Sequence, residues 1–578
     1  MSSDVVALRA RRDIDWSPVW HYVVLIGVAV AVLLPLAFLI LGSFSTARLP
    51  TDFSFDQMGL DNYIKVWTDP TTYAVFKNTV LYVAGATAIG ISVAAILAWL
   101  VERTNMPGKI WIYASVPMTL AMPGLIQAMA WVLLLSPRSG FANRWLIDLF
   151  GLQAAPFNIY TLGGMAFVEG LRLVPTAFLM LVPLLRSMDP ALEEAAAASG
   201  APPLSIVRKV TLGLMLPGLL AVTIYQAMTA LEVFEVPGVL GLPVQLHVFA
   251  TKVYVALQSI EVLPTYGEAN ALGILYLLVG VVAATLYWAI IRRAERYAVI
   301  TGKGYRPRLI DLGNWRNAFI TLVAVYIMLS IVLPFLVMVY CSFIPFLQRP
   351  SWEVFSQLTL KHYGDVFTQP RITVTFWNTV IMAGVTATAV CALSFLISLT
   401  IVRTKFWGRR AIDFLAFIPH TIPSIVAALA FLWLFLILGV FGSVWTFIVV
   451  FTVLFIAYGT RAMNAAILQV HKDLEEAAAA SGAPPWRTIW RVFMPLLLPS
   501  FIGLWIWVVL LSIRIASVPL LLAEGPKNKV LAVLIWEFWD EGDIEVVGAI
   551  GTLMMIAIFL LVLVLRWIGF GRSLIQSR

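Results

Sequence analysis

The sequence predicts an all-α integral membrane fold of about 12 transmembrane helices, arranged as two parallel six-helix repeats. Three observations carry this expectation: a composition far from that of soluble proteins, recurrent long apolar runs, and an internal duplication. Of 578 residues, 61% are hydrophobic and 12% charged, and mean hydropathy is +0.91. Soluble domains carry roughly 25% charged residues. Hydrocarbon offers no water to a bare N–H or C=O, so a spanning chain must satisfy its backbone internally, as a helix of about 20 apolar residues does.

The expected spans of the first half are Tyr22–Leu41, Phe76–Val101, Ile110–Leu135, Tyr160–Leu185, Met215–Val236 and Ala269–Ile291. Those of the second are Ala318–Tyr340, Phe376–Val402, Ala411–Leu438, Val444–Arg461, Leu497–Pro519 and Val546–Ile568. No signal peptide is expected at the start, because Val23–Ile40 is too long for its apolar region and has no small-residue cleavage site.

Lysine and arginine cluster in alternate connections, which sets the orientation. Arg9, Arg11 and Arg12 precede the first span, and Arg292, Arg293, Arg296, Lys303, Arg306, Arg308 and Arg316 fill the central connection. Arg403, Lys405, Arg409 and Arg410 follow the eighth span, and Arg566, Arg572 and Arg578 mark the tail. The connections at 43–73 and 524–545 are mixed or acidic. Both termini are therefore expected on the cytoplasmic side of the membrane. The net charge of +8 reflects this asymmetry, and no nucleic-acid partner is expected. Cys341 and Cys391 make no redox or metal pair, and five scattered histidines make no ligand spacing. No metal site is expected, and H-E-x-x-H and G-x-S-x-G are absent, so no catalytic residue is assigned.

The duplication has clear landmarks. "LDNYIKVWTDP" (60–70) matches "LKHYGDVFTQP" (360–370), "FKNTV" matches "FWNTV", and Arg103-Thr104 matches Arg403-Thr404, all at an offset of 300. "LEEAAAASGAPP" stands at 192–203 and again at 474–485, an offset of 282. The shortfall places about 18 extra residues in the turn-rich stretch 136–158, expected as an external loop. An even number of spans per half returns the chain to the same side, giving a parallel repeat with a route between the halves. The halves are drawn as 1–300 and 301–578. A repeat serving only as a packing device is the alternative.

The repeated dodecamer reads as two short helices around a sharp turn. Asp189 suits the N-cap and Pro190 the first helical position. Glu193 and Glu194 favour the positive end of the helix dipole. Four alanines continue the helix, Gly200 suits a left-handed C′ residue, and Pro202 and Pro203 end one helix and start another. The second copy carries Asp473, Glu475, Glu476, Ala477 to Ala480, Gly482, Pro484 and Pro485, then Arg487 and Arg491. A smooth alanine face beside acidic charge makes a docking knuckle on the cytoplasmic side. The alternative, an interfacial amphipathic helix, would normally carry bulky apolar residues and abundant Lys and Arg.

Glu-Ala-Ala, three residues, Gly, nine residues, a β-branched residue, one residue and Leu/Met-Pro resembles the cytoplasmic loop of ABC importer permeases. The second copy fits throughout, at Glu476, Ala477, Ala478, Gly482, Val492, Met494 and Pro495. The first fits at Glu194, Ala195, Ala196, Gly200, Val210 and Leu212, with Gly213 in place of the usual proline. The resemblance covers nearly the whole chain and implies both membrane halves of a type I importer fused in one polypeptide. It implies that two ATP-binding cassette subunits grip the coupling loops at about 187–214 and 469–496. Glu193, Glu194, Ala195, Ala196, Gly200, Glu475, Glu476, Ala477, Ala478 and Gly482 would form the docking surface. A separate extracytoplasmic substrate-binding protein would deliver cargo. There is no G-x-x-x-x-G-K-[ST] in the chain, so no cofactor is expected here. ATP would be used by the partner subunits, and this chain is expected to be a translocation subunit, not an enzyme.

Ionisable residues inside spans mark pathways or partners by default. "ALEVFEVPG" carries Glu232 and Glu235, and its counterpart "SIRIASVPL" carries Arg514, with Glu232 matching Arg514 at offset 282. The expectation is a cross-axis ion pair forming part of a gate, with snorkelling as the alternative. Glu169 and Arg172, one turn apart, read as a local structural pair. Pro117, Pro123, Pro419 and Pro423 should kink the third and ninth spans and place them beside the route.

Within the superfamily, 156–175, 231–241 and 533–543 are similar to the ferric-iron permeases, although Arg514 is followed by Ile515 where those usually have glutamate. The expected cargo is iron(III). Thiamine, a polyamine or aminoethylphosphonate is the alternative within the class, and a secondary transporter the alternative outside it. No oxygen-rich carboxylate cluster of the kind a hard cation seeks is visible in the expected spans.

Overall fold

The computed structural model describes residues 17–186, 191–258, 265–294 and 309–573. Asp189, Pro190, Arg9, Arg11, Arg12, Arg296, Lys303, Arg306, Arg308 and Arg578 lie outside them, as do the side chains of Arg292, Arg293, Arg566 and Arg572. Among the described residues every regular element is helical, and only two isolated bridges, Ser45 with Met58 and Thr104 with Ile310, are of β type.

In the first half α1 (Ser17–Phe44), α2 (Asp61–Thr68) and α3 (Pro70–Arg103) lead to α4 (Lys109–Met118) and α5 (Gly124–Leu135). Next come α6 (Phe141–Phe150), α7 (Leu162–Arg186), α8 (Ala191–Ala198) and α9 (Pro203–Ile206). The half closes with α10 (Leu212–Glu232), α11 (Glu235–Gly241), α12 (Phe249–Leu257) and α13 (Tyr266–Ala294). The second half repeats the order. It runs through α14 (Arg316–Ile327), α15 (Leu333–Phe343), α16 (Trp352–Phe355), α17 (Lys361–Thr368), α18 (Pro370–Arg403), α19 (Arg409–Phe417) and α20 (Ser424–Leu438). It ends with α21 (Val444–Gln469), α22 (Lys472–Ala480), α23 (Pro485–Thr488), α24 (Met494–Arg514), α25 (Ser517–Leu522), α26 (Leu531–Glu541) and α27 (Ile544–Ser573).

Ten helical stretches among the described residues are long and apolar enough to cross a membrane. They coincide with ten of the expected spans, and the protein is a multi-pass membrane protein. The other two expected spans are corrected. The segment over Ile110–Leu135 bends by 93° between Ala121 and Gly124, and that over Ala411–Leu438 by 107° between Thr421 and Ser424. Proline cannot donate to the helix ladder and pushes the residue before it out of the α region. Met122 and Ile422, which precede Pro123 and Pro423, are accordingly extended (ψ 115° and 118°).

Three further boundaries differ from expectation. The fifth span ends at Glu232 and the eleventh at Arg514, each followed by a short helix. The Glu235–Val244 and Phe249–Leu257 pair forms a third bent unit, at 69°. The extra residues at 136–158 are not all loop, since they contain α6. Asn143 folds this insertion back: its Nδ2 donates to Leu135 O, Ser136 O and Phe157 O, and its Oδ1 accepts from Phe157 N.

Contacts between elements fix which ends lie together. Trp407, just after α18, donates from Nε1 to the Tyr22 hydroxyl at the start of α1 (3.1 Å). Asn62 of α2 donates to Ser43 O and Ser45 O at the far end of α1. The starts of α1 and the ends of α3 and α18 therefore share one end of the molecule, and both dodecamers follow there. The first span of each half also clasps the other half: α1 packs on α13 but also on α19 and α20, and α15 packs on α27 and α5. Without a hydrophobic drive between helices in lipid, close packing depends on small residues. Gly90 and Gly170 supply it between α3 and α7, where a Cβ on either would press within 2.8 Å of the other helix.

Candidate functional site

Two places gather the residues singled out by the sequence. The first is the pair of knuckles. In each, helix α8 or α22 ends in the same hydrogen-bond pattern. Gly200 N donates to Ala197 O (3.0 Å) and Ala201 N to Ala196 O (3.1 Å); Gly482 N donates to Ala479 O (2.9 Å) and Ala483 N to Ala478 O (3.0 Å). Gly200 and Gly482 take φ of +84° and +73°, the left-handed conformation that such a C-terminal motif requires. Pro203 and Pro485 then begin α9 and α23. Each continues through one π-helical turn, Val207–Thr211 or Ile489–Phe493, into a spanning helix. Gly213, at the usual proline position, sits inside an uninterrupted α10. The second copy is capped by His471, the counterpart of Asp189, whose Nδ1 faces Asp473 N at 3.5 Å.

The alanine faces are exposed at Ala195, Ala197, Ala477 and Ala479, while Ala196 and Ala478 are half-buried. The acidic pairs split. Glu193 Oε2 lies 3.6 Å from Arg103 Nε, and Glu475 Oε1 lies 3.1 Å from Arg403 Nε. Glu194 is half-buried and Glu476 is exposed. All four are expected on one docking surface, and the structure ties the first of each pair to a buried arginine. The two arginines were visible only as a repeated Arg-Thr, whose recurrence at both span ends was the available signal.

The second place is a cavity of about 160 Å³ between the halves. Both broken helices reach it, through Leu120 and Ser424, as expected for irregular backbone that borders a polar space. Glu169, Arg172, Glu232, Glu235 and Arg514 all line it, with Thr176, Tyr225, Thr229, Tyr458 and Trp507. Glu169 Oε2 stands 3.2 Å from Arg172 Nε. The local pair is therefore present, but it belongs to the cavity wall and not to structure alone. Gly124 makes room for it, since a Cβ there would fall 1.4 Å from Arg172 Nη1.

The expected ion pair between Glu232 and Arg514 is not formed. Among the described residues neither has an ion-pair partner within 4.0 Å, and Arg514 Nε is buried without a hydrogen bond. Glu235 makes the contact between halves instead: its Oε1 accepts from Ala516 N at 2.8 Å, at the entry to α25. Glu232 contributes its backbone O to Ser424 Oγ (3.5 Å), and that hydroxyl also meets Ser517 Oγ at 2.7 Å. Offset pairing put Glu232 opposite Arg514, but each helix ends there and the chain turns, and both line the cavity without pairing.

Sequence reasoning missed an aromatic-hydroxyl wall. His420 stacks on Tyr225 (5.7 Å) and meets Tyr458 edge-on (5.1 Å). Tyrosines scattered through apolar spans give no spacing signal, and only the folded chain brings them together around His420. Three carboxylates and two phenols thus share one space, although the linear spans show no carboxylate cluster. Among the described residues no three His, Cys, Asp or Glu side chains are grouped to hold a metal ion.

Among known proteins, those similar to this chain are membrane permeases of binding-protein-dependent transport systems. Residues 392–569 match the family model described as "Binding-protein-dependent transport system inner membrane component". Over 490 residues the chain is 24% identical to the Ferric transport system permease protein FbpB of Actinobacillus pleuropneumoniae, covering 84% of this chain and 69% of that one. A Putative ferric transport system permease protein FbpB 1 of Haemophilus influenzae is 25% identical over 460 residues, 78% of this chain and 70% of its own. The Fe(3+)-transport system permease protein FbpB 2 of the same organism is 20% identical over 550 residues, 94% of this chain and 96% of its own.

Proposed function

We propose that this chain is the fused translocation subunit of an ATP-driven importer for iron(III), with residues 1–300 and 301–578 as its two permease halves. Two ATPase subunits engage the exposed alanine faces and outward glutamates at 187–214 and 469–496, and consume the ATP. A binding protein outside the membrane delivers cargo to the opposite end, and both termini face the cytoplasm. The observation that carries this reading is the recurrence, at one end of the molecule, of two exposed helix–glycine–helix knuckles that each run into a spanning helix. Iron is supported by the names of the similar permeases.

Mechanically, closure of the ATPase pair draws the knuckles together, and the attached helices rock so that the seam opens to alternate sides. The cavity residues face cargo during that exchange. Reconstitution of the chain with the ATPase and binding protein encoded beside it, followed by uptake of radiolabelled iron(III), tests the assignment. ATP-dependent uptake that zinc and spermidine do not compete is expected. Uptake of a polyamine or thiamine in its place would overturn the cargo, and uptake without ATP would overturn the class.

A further inference from the structure

Glu193 and Glu475, each followed by a second glutamate, meet buried arginines, Arg103 at 4% and Arg403 at 8% side-chain exposure. Each arginine is the last residue of the longest helix of its half, α3 or α18. Each also donates to carbonyls at the end of the neighbouring span. Arg103 Nη2 reaches Leu185 O (3.0 Å), and Arg403 Nη2 reaches Ile467 O (2.8 Å) and Val470 O. The carbonyl end of a helix carries partial negative charge, so a cation there is favourable. A guanidinium suits such a joint because its planar fork bonds several acceptors at once, which an ammonium does not do in fixed geometry. Three elements therefore meet at each arginine: a long span, the end of its neighbour, and the knuckle.

The two joints are built alike but braced differently. At Glu193 the brace is Thr211, whose Oγ1 donates to Oε1 at 2.7 Å. Its counterpart is Phe493, whose ring lies 5.7 Å from the Arg403 guanidinium carbon. The same ion pair surviving a change of neighbour points to the pair itself as the retained feature.

We propose that Arg103 and Arg403 are struts that carry movement of the knuckles into the membrane helices, and that each Glu-Glu pair divides its work. Glu193 and Glu475 hold the knuckle to its strut, and Glu194 and Glu476 face the ATPase. This rests on the docking reading above. A buried guanidinium stripped of its carboxylate is strongly unfavourable, so the contact persists while the knuckle moves and the helix must follow. The helices that follow bear on the cavity: α3 packs along α7, which carries Glu169 and Arg172, and α18 along α21, which carries Tyr458.

The test uses the complete complex in lipid nanodiscs and proteoliposomes, comparing Glu193→Gln/Glu475→Gln with Glu194→Lys/Glu476→Lys. The inward pair of substitutions should leave the ATPase subunits bound and hydrolysing ATP. It should abolish stimulation by the binding protein and lower transport per ATP by about ten-fold. Spin labels at Ser199 and Ser481 should then show a broadened distance distribution. The outward pair should release the ATPase subunits. Unchanged transport per ATP in the inward variant, or release of its ATPase subunits, would overturn the proposal. If the inward double variant does not assemble, Glu475→Gln alone serves, and an undiminished ratio there overturns it equally. Retention of the ATPase subunits by the outward variant would instead sink the docking reading, whatever the ratio shows.

Discussion

Gly124 and Arg172 constrain each other: one has no Cβ, and the other fills the space a Cβ would take. Gly124→Ala should displace the guanidinium from Glu169, lowering thermal stability by about 1–3 kcal/mol and depressing transport further, as read by melting in detergent and uptake in vesicles. Arg172→Ala leaves the Glu169 carboxylate buried without its cation, at a cost of about 3–5 kcal/mol. Adding Glu169→Gln should recover most of that stability. The charge-swapped Glu232→Arg/Arg514→Glu variant should not recover transport lost in the single variants, because those side chains do not meet. Recovery to the parental rate would show that they pair at some stage of the cycle. At this scale the sequence was only partly legible. The spacing of Glu169 and Arg172 announced their pairing, since three residues is one helical turn. Their place beside Glu232, Glu235 and Arg514 depends on how α7, α10 and α24 pack, which no local spacing encodes.

At the scale of elements, glycine and proline were the most readable signals because each acts through local backbone sterics. The left-handed turns at Gly200 and Gly482 follow from the dodecamer itself. Gly482→Val should cost about 1–2 kcal/mol at the turn and redirect α23, weakening capture of the ATPase subunit while the membrane helices stay folded by circular dichroism. Pro123 and Pro423 marked the third and ninth spans as irregular, yet the expected kinks are bends beyond a right angle. Hydropathy reports only the apolar length of a segment, and α4 with α5 is long enough whether straight or folded. The same blindness hid the turn after Glu232, where α11 and α12 are apolar but do not continue the span. The α6 helix in the insertion was hidden for another reason: its turn-rich flanks outweighed a ten-residue helix that Asn143 pins in place.

Across the whole molecule, symmetry and asymmetry fall in different places. The knuckles, their glycines and their arginine contacts recur at both halves. Around the cavity the positions recur but their chemistry does not: at an offset of 282, Glu169, Arg172 and Glu235 have Phe451, Leu454 and Ser517 as counterparts. A duplicated shell thus surrounds a polar seam whose carboxylates all come from the first half. The duplication was legible from matched segments, whereas the exchange of first spans, α1 onto α20 and α15 onto α5, was not, because lipid-facing and protein-facing apolar surfaces look alike in sequence. An external ATPase is proposed to act through the two knuckles. The most direct measurement is ATP hydrolysis by the partner subunits in nanodiscs containing the parental chain or Glu194→Lys/Glu476→Lys, with binding protein and iron(III) present. Hydrolysis stimulated by the parental chain and reduced to the level of free ATPase subunits by the variant is the predicted result, and equal stimulation by both would contradict it.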